Sequence, residues 1–234
     1  MWPYMYGYYD PTYILVIIGL VLTLLASAKV RSTFAKYSRV RSMSGMTGAE
    51  AAQRILQSSG IYDVRIERVS GDLSDHYDPR SKVLRLSDSV YGQSSVAAIG
   101  VAAHECGHAI QHDRAYIPLK IRGALVPVVN FGSAISWPLI LIGLFFTGSQ
   151  FMINLGIFLF SFAVLFQLVT LPVEFNASRR AIARLGETGI LYGNEIAQTK
   201  KVLNAAALTY VAGAAASILQ LLRLILLFGG RDRD

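Results

Sequence analysis

Apolar and polar positions divide the chain into blocks. Pro11–Ala28 is uncharged and rich in Ile, Leu and Val, enough for one short membrane crossing. Residues 42–122 read instead as a small folded domain. Thr47 can cap a helix running to about Ser59, with Glu50 completing a capping box and Gly60 ending it. Residues 64–69 (VRIERV) alternate apolar and polar, the pattern of a half-buried strand. Gly71, Asp72, Ser74, Asp75, Asp78 and Pro79 predict a loop, and residues 83–86 (VLRL) a second short strand. From Ser94 to about Asp113 the pattern predicts one helix. Residues 123–173 contain no Asp, Glu, Lys or Arg. They divide into spans at 124–146 and 151–171 around a turn at residues 147–149. Residues 172–201 are polar again and predict a cytoplasmic helix. A last apolar stretch, 202–228, is interrupted only by Arg223, close enough to its end to snorkel. The pattern predicts a mainly α membrane protein: about four transmembrane helices, plus a small α+β core within residues 29–122.

Composition supports the membrane reading. The chain is 53% hydrophobic and only 16% charged, where globular proteins run near a quarter charged. Net charge is +7, and its distribution carries the information. Lys29, Arg31, Lys36, Arg39 and Arg41 follow the first span, whereas the Tyr-rich residues 1–10 have neither Lys nor Arg. That asymmetry predicts a cytoplasmic side for residues 29–122 and an outside N-terminus, its aromatics at the interface. It also accounts for the basic excess without nucleic acid. The first span lacks the basic flank of a signal peptide and predicts a retained anchor. One cysteine, Cys106, cannot form an internal disulfide. It fits a small buried helix position or a redox handle beside a metal.

The helix at 94–113 carries His104-Glu105-Cys106-Gly107-His108, an H-E-x-x-H pattern. Residues four apart share a helix face about 6 Å apart along the axis, so both imidazoles can reach one zinc ion. Glu105, rotated about 100° from His104, flanks the metal as a general base for the attacking water. With this composition the pattern arises by chance on the order of 0.002 times per chain. A hydrolytic zinc needs a third protein ligand. His112 lies about 12 Å along the helix from His104, too far to share the ion, and reads as a surface or cleft-wall residue. The metzincin pattern fails, since Gln111 and Arg114 replace its glycine and third histidine. Glu174 is the better candidate: a two-span hairpin returns it to the side where His104 and His108 lie.

The segments SDHYDPRSKVLRLSDSVYG, HECGHAIQH and PVEFNASRRA resemble the neutral zinc metallopeptidases of the YugP type, over nearly the whole chain. More distantly the chain is similar to the CAAX prenyl endopeptidases and their HtpX-like bacterial relatives. Those also place two spans between H-E-x-x-H and a downstream E-F-x-A-D motif. Ser178 stands where these relatives carry the aspartate that orients a zinc histidine; a serine can accept that hydrogen bond without the charge. The resemblance implies a gluzincin-like core, with a small sheet beside the H-E-x-x-H helix whose edge strand holds the substrate. Residues 83–86 are the expected edge. His76, Tyr77 and Asp78 would line the cleft, although His76 fits a loop surface equally, Tyr77 a core position and Asp78 a turn. Arg179, Arg180 and Tyr210 are candidate oxyanion stabilisers among which the sequence does not choose.

The expected function is a membrane-bound zinc endopeptidase. Its partners would be the lipid bilayer and a membrane-associated protein or peptide, and not nucleic acid. The resemblance implies a bacterial inner membrane. A scaffold that binds client proteins has no need of Glu105. An intramembrane protease would place H-E-x-x-H within a span, but the apolar run before His104 is too short to cross. A transporter would want charged or broken helices at mid-membrane, which the hairpin lacks.

Overall fold

A computed structural model of the chain describes residues 10–229. The aromatic residues 1–9, expected at the interface, lie outside this range. The element order is α1 (Tyr13–Tyr37), α2 (Gly48–Ser58), β1 (Arg65–Val69), β2 (His76–Asp78), β3 (Val83–Ser87), α3 (Val96–Asp113), α4 (Ile117–Ile142), a π-helical turn (Gly143–Thr147), α5 (Gln150–Glu187) and α6 (Asn194–Phe228). Four helical stretches are long and apolar enough to cross a membrane: α1, α4 with its π-turn, α5 and α6. The protein is a mainly α membrane protein with a small three-stranded sheet. Two compact units share the long helices. One comprises the chain up to Leu24, Val126–Gln167 and the chain from Ala212; the other comprises Leu25–Leu125 and Leu168–Val211.

The first unit is built for lipid. Phe146 is 83% and Leu24 60% exposed, which only an apolar solvent tolerates over such lengths. Small residues bring α4 and α5 together. A Cβ on Gly156 would stand 2.8 Å from the Ser136 carbonyl oxygen, and one on Gly132 would stand 3.2 Å from that of Leu159. The Ser136 hydroxyl, fully buried, donates to the Gly156 carbonyl at 2.9 Å. Gly148, with φ of 63°, makes the turn after the π-helix. Arg223 does more than snorkel: it pairs with Asp10 at 2.9 Å and lies 4.2 Å from the Tyr13 ring centroid.

The second unit holds the polar core. Helix α2 opens on the capping box: Thr47 accepts from the Glu50 amide, and the Thr47 amide donates to the Glu50 carboxylate at 2.8 Å. Its apolar face, Ala51, Ala52, Ile55 and Leu56, is fully buried. The sheet order is β1-β3-β2, with β1 parallel and β2 antiparallel to β3. Residues 83–86 are therefore the central strand and not the expected edge. The burial pattern explains this. Only Arg85 in β3 escapes burial, and a strand apolar on both faces belongs in the middle of a covered sheet. Strand β2 fell in the predicted loop, since three residues carry no readable period.

Helix α3 opens at Ser95, whose hydroxyl accepts from the Ala98 amide at 3.1 Å. Its Ala-rich surface lets neighbours come close. Gly107 is the tightest point: a Cβ there would lie 2.5 Å from the Ala177 carbonyl oxygen of α5. The expected helix boundary at Pro172 does not occur, because α5 runs unbroken to Glu187 and α6 takes up the rest. Proline removes one backbone donor, whereas Val173, Ala177, Ala181 and Leu185 form a fully buried stripe at four-residue intervals. Packing of that stripe outweighs the single lost bond.

Gly107→Ala should therefore force α3 and α5 apart, with a stability loss of about 1–3 kcal/mol. Thermal unfolding of the detergent-solubilised variant reads this directly. A midpoint equal to that of the parent protein would contradict the close crossing.

Candidate metal centre

His104 and His108 lie one turn apart on α3, and their rings meet edge to face at 4.8 Å. Glu174 comes from α5, across the Gly107–Ala177 crossing. Its Oε2 lies 3.2 Å from His104 Nε2 and 3.5 Å from His108 Nε2. All three ligand atoms fall within 4.8 Å of one another. Ligands held ~2.0–2.1 Å from a tetrahedral ion stand roughly 3.3 Å apart, so the two short separations suit one shared zinc. The side chains are 14%, 12% and 3% exposed, respectively. The site is nearly closed, so a carboxylate buried there needs cationic partners to offset its lost hydration.

The surrounding hydrogen bonds decide which atoms face the metal. Gln111, fully buried, donates its amide nitrogen to the Val173 carbonyl at 2.8 Å and to Asn176 Oδ1 at 3.0 Å. Its Oε1 therefore points back to His108 Nδ1, 3.0 Å away. An amide oxygen only accepts, so Nδ1 of His108 carries the proton and Nε2 presents a lone pair to Glu174. Ser178 Oγ lies 3.0 Å from His104 Nδ1 and gives the same orientation when it accepts. Lone pairs from Nε2 and the carboxylate then converge on one point, an arrangement that repels unless a cation sits between them. Burial alone would push the His108 imidazole down. Glu174 beside it and the Glu105 charge outweigh burial and hold it above its usual value. The pocket favours positive charge.

Arg122 Nη1 lies 3.3 Å from Glu174 Oε1, which leaves Oε2 for the histidines. No local motif announces this partner. The signal was present: Arg122 is the last charge before the uncharged run and Glu174 the first after it. A hairpin that closes brings them together. Gln111 was noted only for breaking the metzincin pattern, yet it orients His108. Glu105 is 8% exposed and next to His104.

The remaining predicted residues sit further out. The Tyr77 hydroxyl and His112 Nδ1 share a hydrogen bond at 2.9 Å. Burial, reinforced by Asp63, Asp78 and Asp113, pushes that hydroxyl up to about 12, so it keeps its proton at neutral pH. This contact joins β2 to the last turn of α3, and neither residue joins the metal cluster. Asp78 caps a turn, accepting from the Arg80 amide and the Ser81 hydroxyl. His76 is exposed, its ring beside the Ser74 carbonyl at 2.9 Å. Asp75, just before β2, is shifted upward by burial and, among smaller causes, by the Glu105 charge. Its carboxylate accepts from the Ser87 amide at 2.7 Å, tying the start of β2 to β3. Arg179 is exposed. Arg180 is engaged with Asn176 at 2.8 Å. Tyr210, on α6, is half-buried.

Over residues 12–229 the chain matches the family described as "Putative neutral zinc metallopeptidase". The chain belongs to that family. It is also 52% identical over 221 residues to a Bacillus subtilis (strain 168) protein named "Putative membrane protease YugP", an alignment covering 94% of this chain and 98% of the relative. No solved structure matches the chain. Membership in a zinc peptidase family, with the His104–His108–Glu174 cluster, identifies the cofactor as zinc. The same membership and the four apolar helices make this an integral membrane protein of a peptidase family.

Two outcomes follow from the geometry. Gln111→Leu should weaken zinc binding about 10–100-fold, while Arg179→Gln, at an exposed position of α5, should retain it. Competition with a chromogenic chelator measures both, and unchanged affinity in the leucine variant would contradict the orienting role. Cys106 is fully buried, its thiol pushed well up by burial and then by Glu105. It should resist maleimide in the folded protein and react only after denaturation; mass spectrometry of the labelled chain distinguishes the two states.

Proposed function

We propose that this protein is a membrane-bound zinc endopeptidase in which His104, His108 and Glu174 hold the metal and Glu105 is the general base. The observation that supports this best is the convergence of three ligand atoms from α3 and α5, with a buried carboxylate one residue from the first. Zinc, when bound, supplies a Lewis acid that lowers the pKa of water and polarises a scissile carbonyl. Glu105 accepts a proton as the water attacks and delivers it to the leaving amine. Ser178 and Gln111 hold the two imidazoles so that Nε2 of each faces inward. Arg122 fixes the second oxygen of Glu174.

The substrate is a protein or peptide that reaches the active site from the membrane surface. Strand β2 is the sheet edge joined to α3 through Tyr77 and His112, and its free side is suited to pair with an extended peptide. His76, Tyr77 and Asp78 then line the path of that peptide. Among the candidate oxyanion stabilisers, Tyr210 of α6 is the proposed donor to the developing oxyanion. The positive charges following the first span orient the catalytic unit toward the cytoplasm, in the inner membrane of a bacterium.

Glu105→Gln tests the central assignment. The variant should keep its zinc and lose cleavage of fluorescently labelled casein on the order of 10²–10⁴-fold. Normal cleavage with zinc retained would remove Glu105 from the role of base.

A further inference from the structure

A cavity of about 740 Å³ lies between α1, α5 and α6, within the unit that carries the metal centre. Its volume is in the range of small-molecule sites, roughly 300–1,000 Å³. None of the residues of that centre lines it. On α1 the lining residues are Lys29, Ser32, Thr33, Lys36 and Tyr37, spaced three and four apart and thus on one helix face. On α6, Lys201 and Asn204 begin a second face that continues through Leu208 and Val211. Phe175 of α5 supplies an aromatic wall.

The cavity lining is both basic and apolar. Three lysines line it and no acidic residue does. Among the described residues, none of the three has a carboxylate within 4.0 Å. Three ammonium groups around one space repel, and an anion among them relieves that repulsion. Phe175, Leu208 and Val211 are 44%, 47% and 40% exposed, and need an apolar partner. The location fits both needs. Lys29 is the first charge after the apolar run Pro11–Ala28, so the cavity opens at the level where the membrane ends.

We infer that this cavity binds the headgroup of an anionic glycerophospholipid. Lys29, Lys36 and Lys201 surround the phosphate, Asn204 donates to its oxygens, and the start of an acyl chain covers Phe175, Leu208 and Val211. A free phosphate ion would satisfy the lysines and leave the apolar wall bare; a zwitterionic lipid would leave the excess positive charge. The inference rests on charge and position and not on the peptidase reading, so each can fail alone.

Native mass spectrometry of the full-length protein in neutral detergent tests it, with phosphatidylglycerol and phosphatidylcholine titrated separately. The parent protein should retain phosphatidylglycerol at least about tenfold better than phosphatidylcholine, given the attraction each lysine contributes near a membrane surface. The triple variant Lys29→Gln, Lys36→Gln, Lys201→Gln should lose that preference and keep its zinc. The corresponding triple arginine variant, which conserves charge, should keep both. Equal lipid preference in the parent and the glutamine variant would overturn the inference. Displacement of phosphatidylglycerol by inorganic phosphate alone would also overturn it, by assigning the cavity to a free ion. Displacement by a glutamate-rich peptide would assign it to a protein partner instead.

Discussion

Three lone pairs aimed at one buried point repel one another, and the unit that carries the polar core is organised to hold them there. His104 and His108 cost little to align, because one helical turn does it. Glu174 must come from another helix, and the Gly107–Ala177 crossing is what brings it within 3.5 Å of both histidines. A methyl group at residue 107 would meet backbone, which cannot swing aside as a side chain can. The Ala-rich surface of α3, the buried stripe on α5 and the Gln111 network all serve this one approach. Zinc is the cation that turns the repulsion into coordination.

The hairpin of α4 and α5 closes the arrangement electrostatically. Arg122 and Glu174 bracket a long stretch without a charged side chain, and they meet at 3.3 Å. The same carboxylate thus reads two cations, a guanidinium through one oxygen and the metal site through the other. Its 3% exposure is tolerable because both oxygens are matched; a buried carboxylate with one partner missing is costly. The first two polar side chains beyond that carboxylate, Asn176 and Ser178, then contact Gln111 and His104 respectively. One turn of α5 therefore supplies both a candidate ligand and the groups that contact the other two side chains or their neighbour.

Much of this was legible in the sequence, for identifiable reasons. His104, Glu105 and His108 are a local pattern, set by helix geometry alone. Glu174 was reachable through topology, since an uncharged run long enough for two spans must return the chain to its starting side. The capping box at Thr47 and Glu50 is likewise local. What escaped was non-local or too short. Strand β2 has three residues, and β3 became central through a parallel pairing that no turn signal announces. Pro172 reads as a boundary, yet the buried stripe from Val173 to Leu185 carries α5 past it. Gln111 looked like a departure from another family's pattern, and only its buried contacts reveal that it orients His108.

The most direct test of the central claim is the metal content of the detergent-purified protein, measured by elemental analysis in the parent and in Glu174→Ala. The account predicts about one zinc per chain, the number one three-ligand site can hold, with most of it lost from the variant under the same purification. A parent protein without zinc, or a variant that retains it in full, would contradict the three-ligand centre on which the proposed chemistry depends.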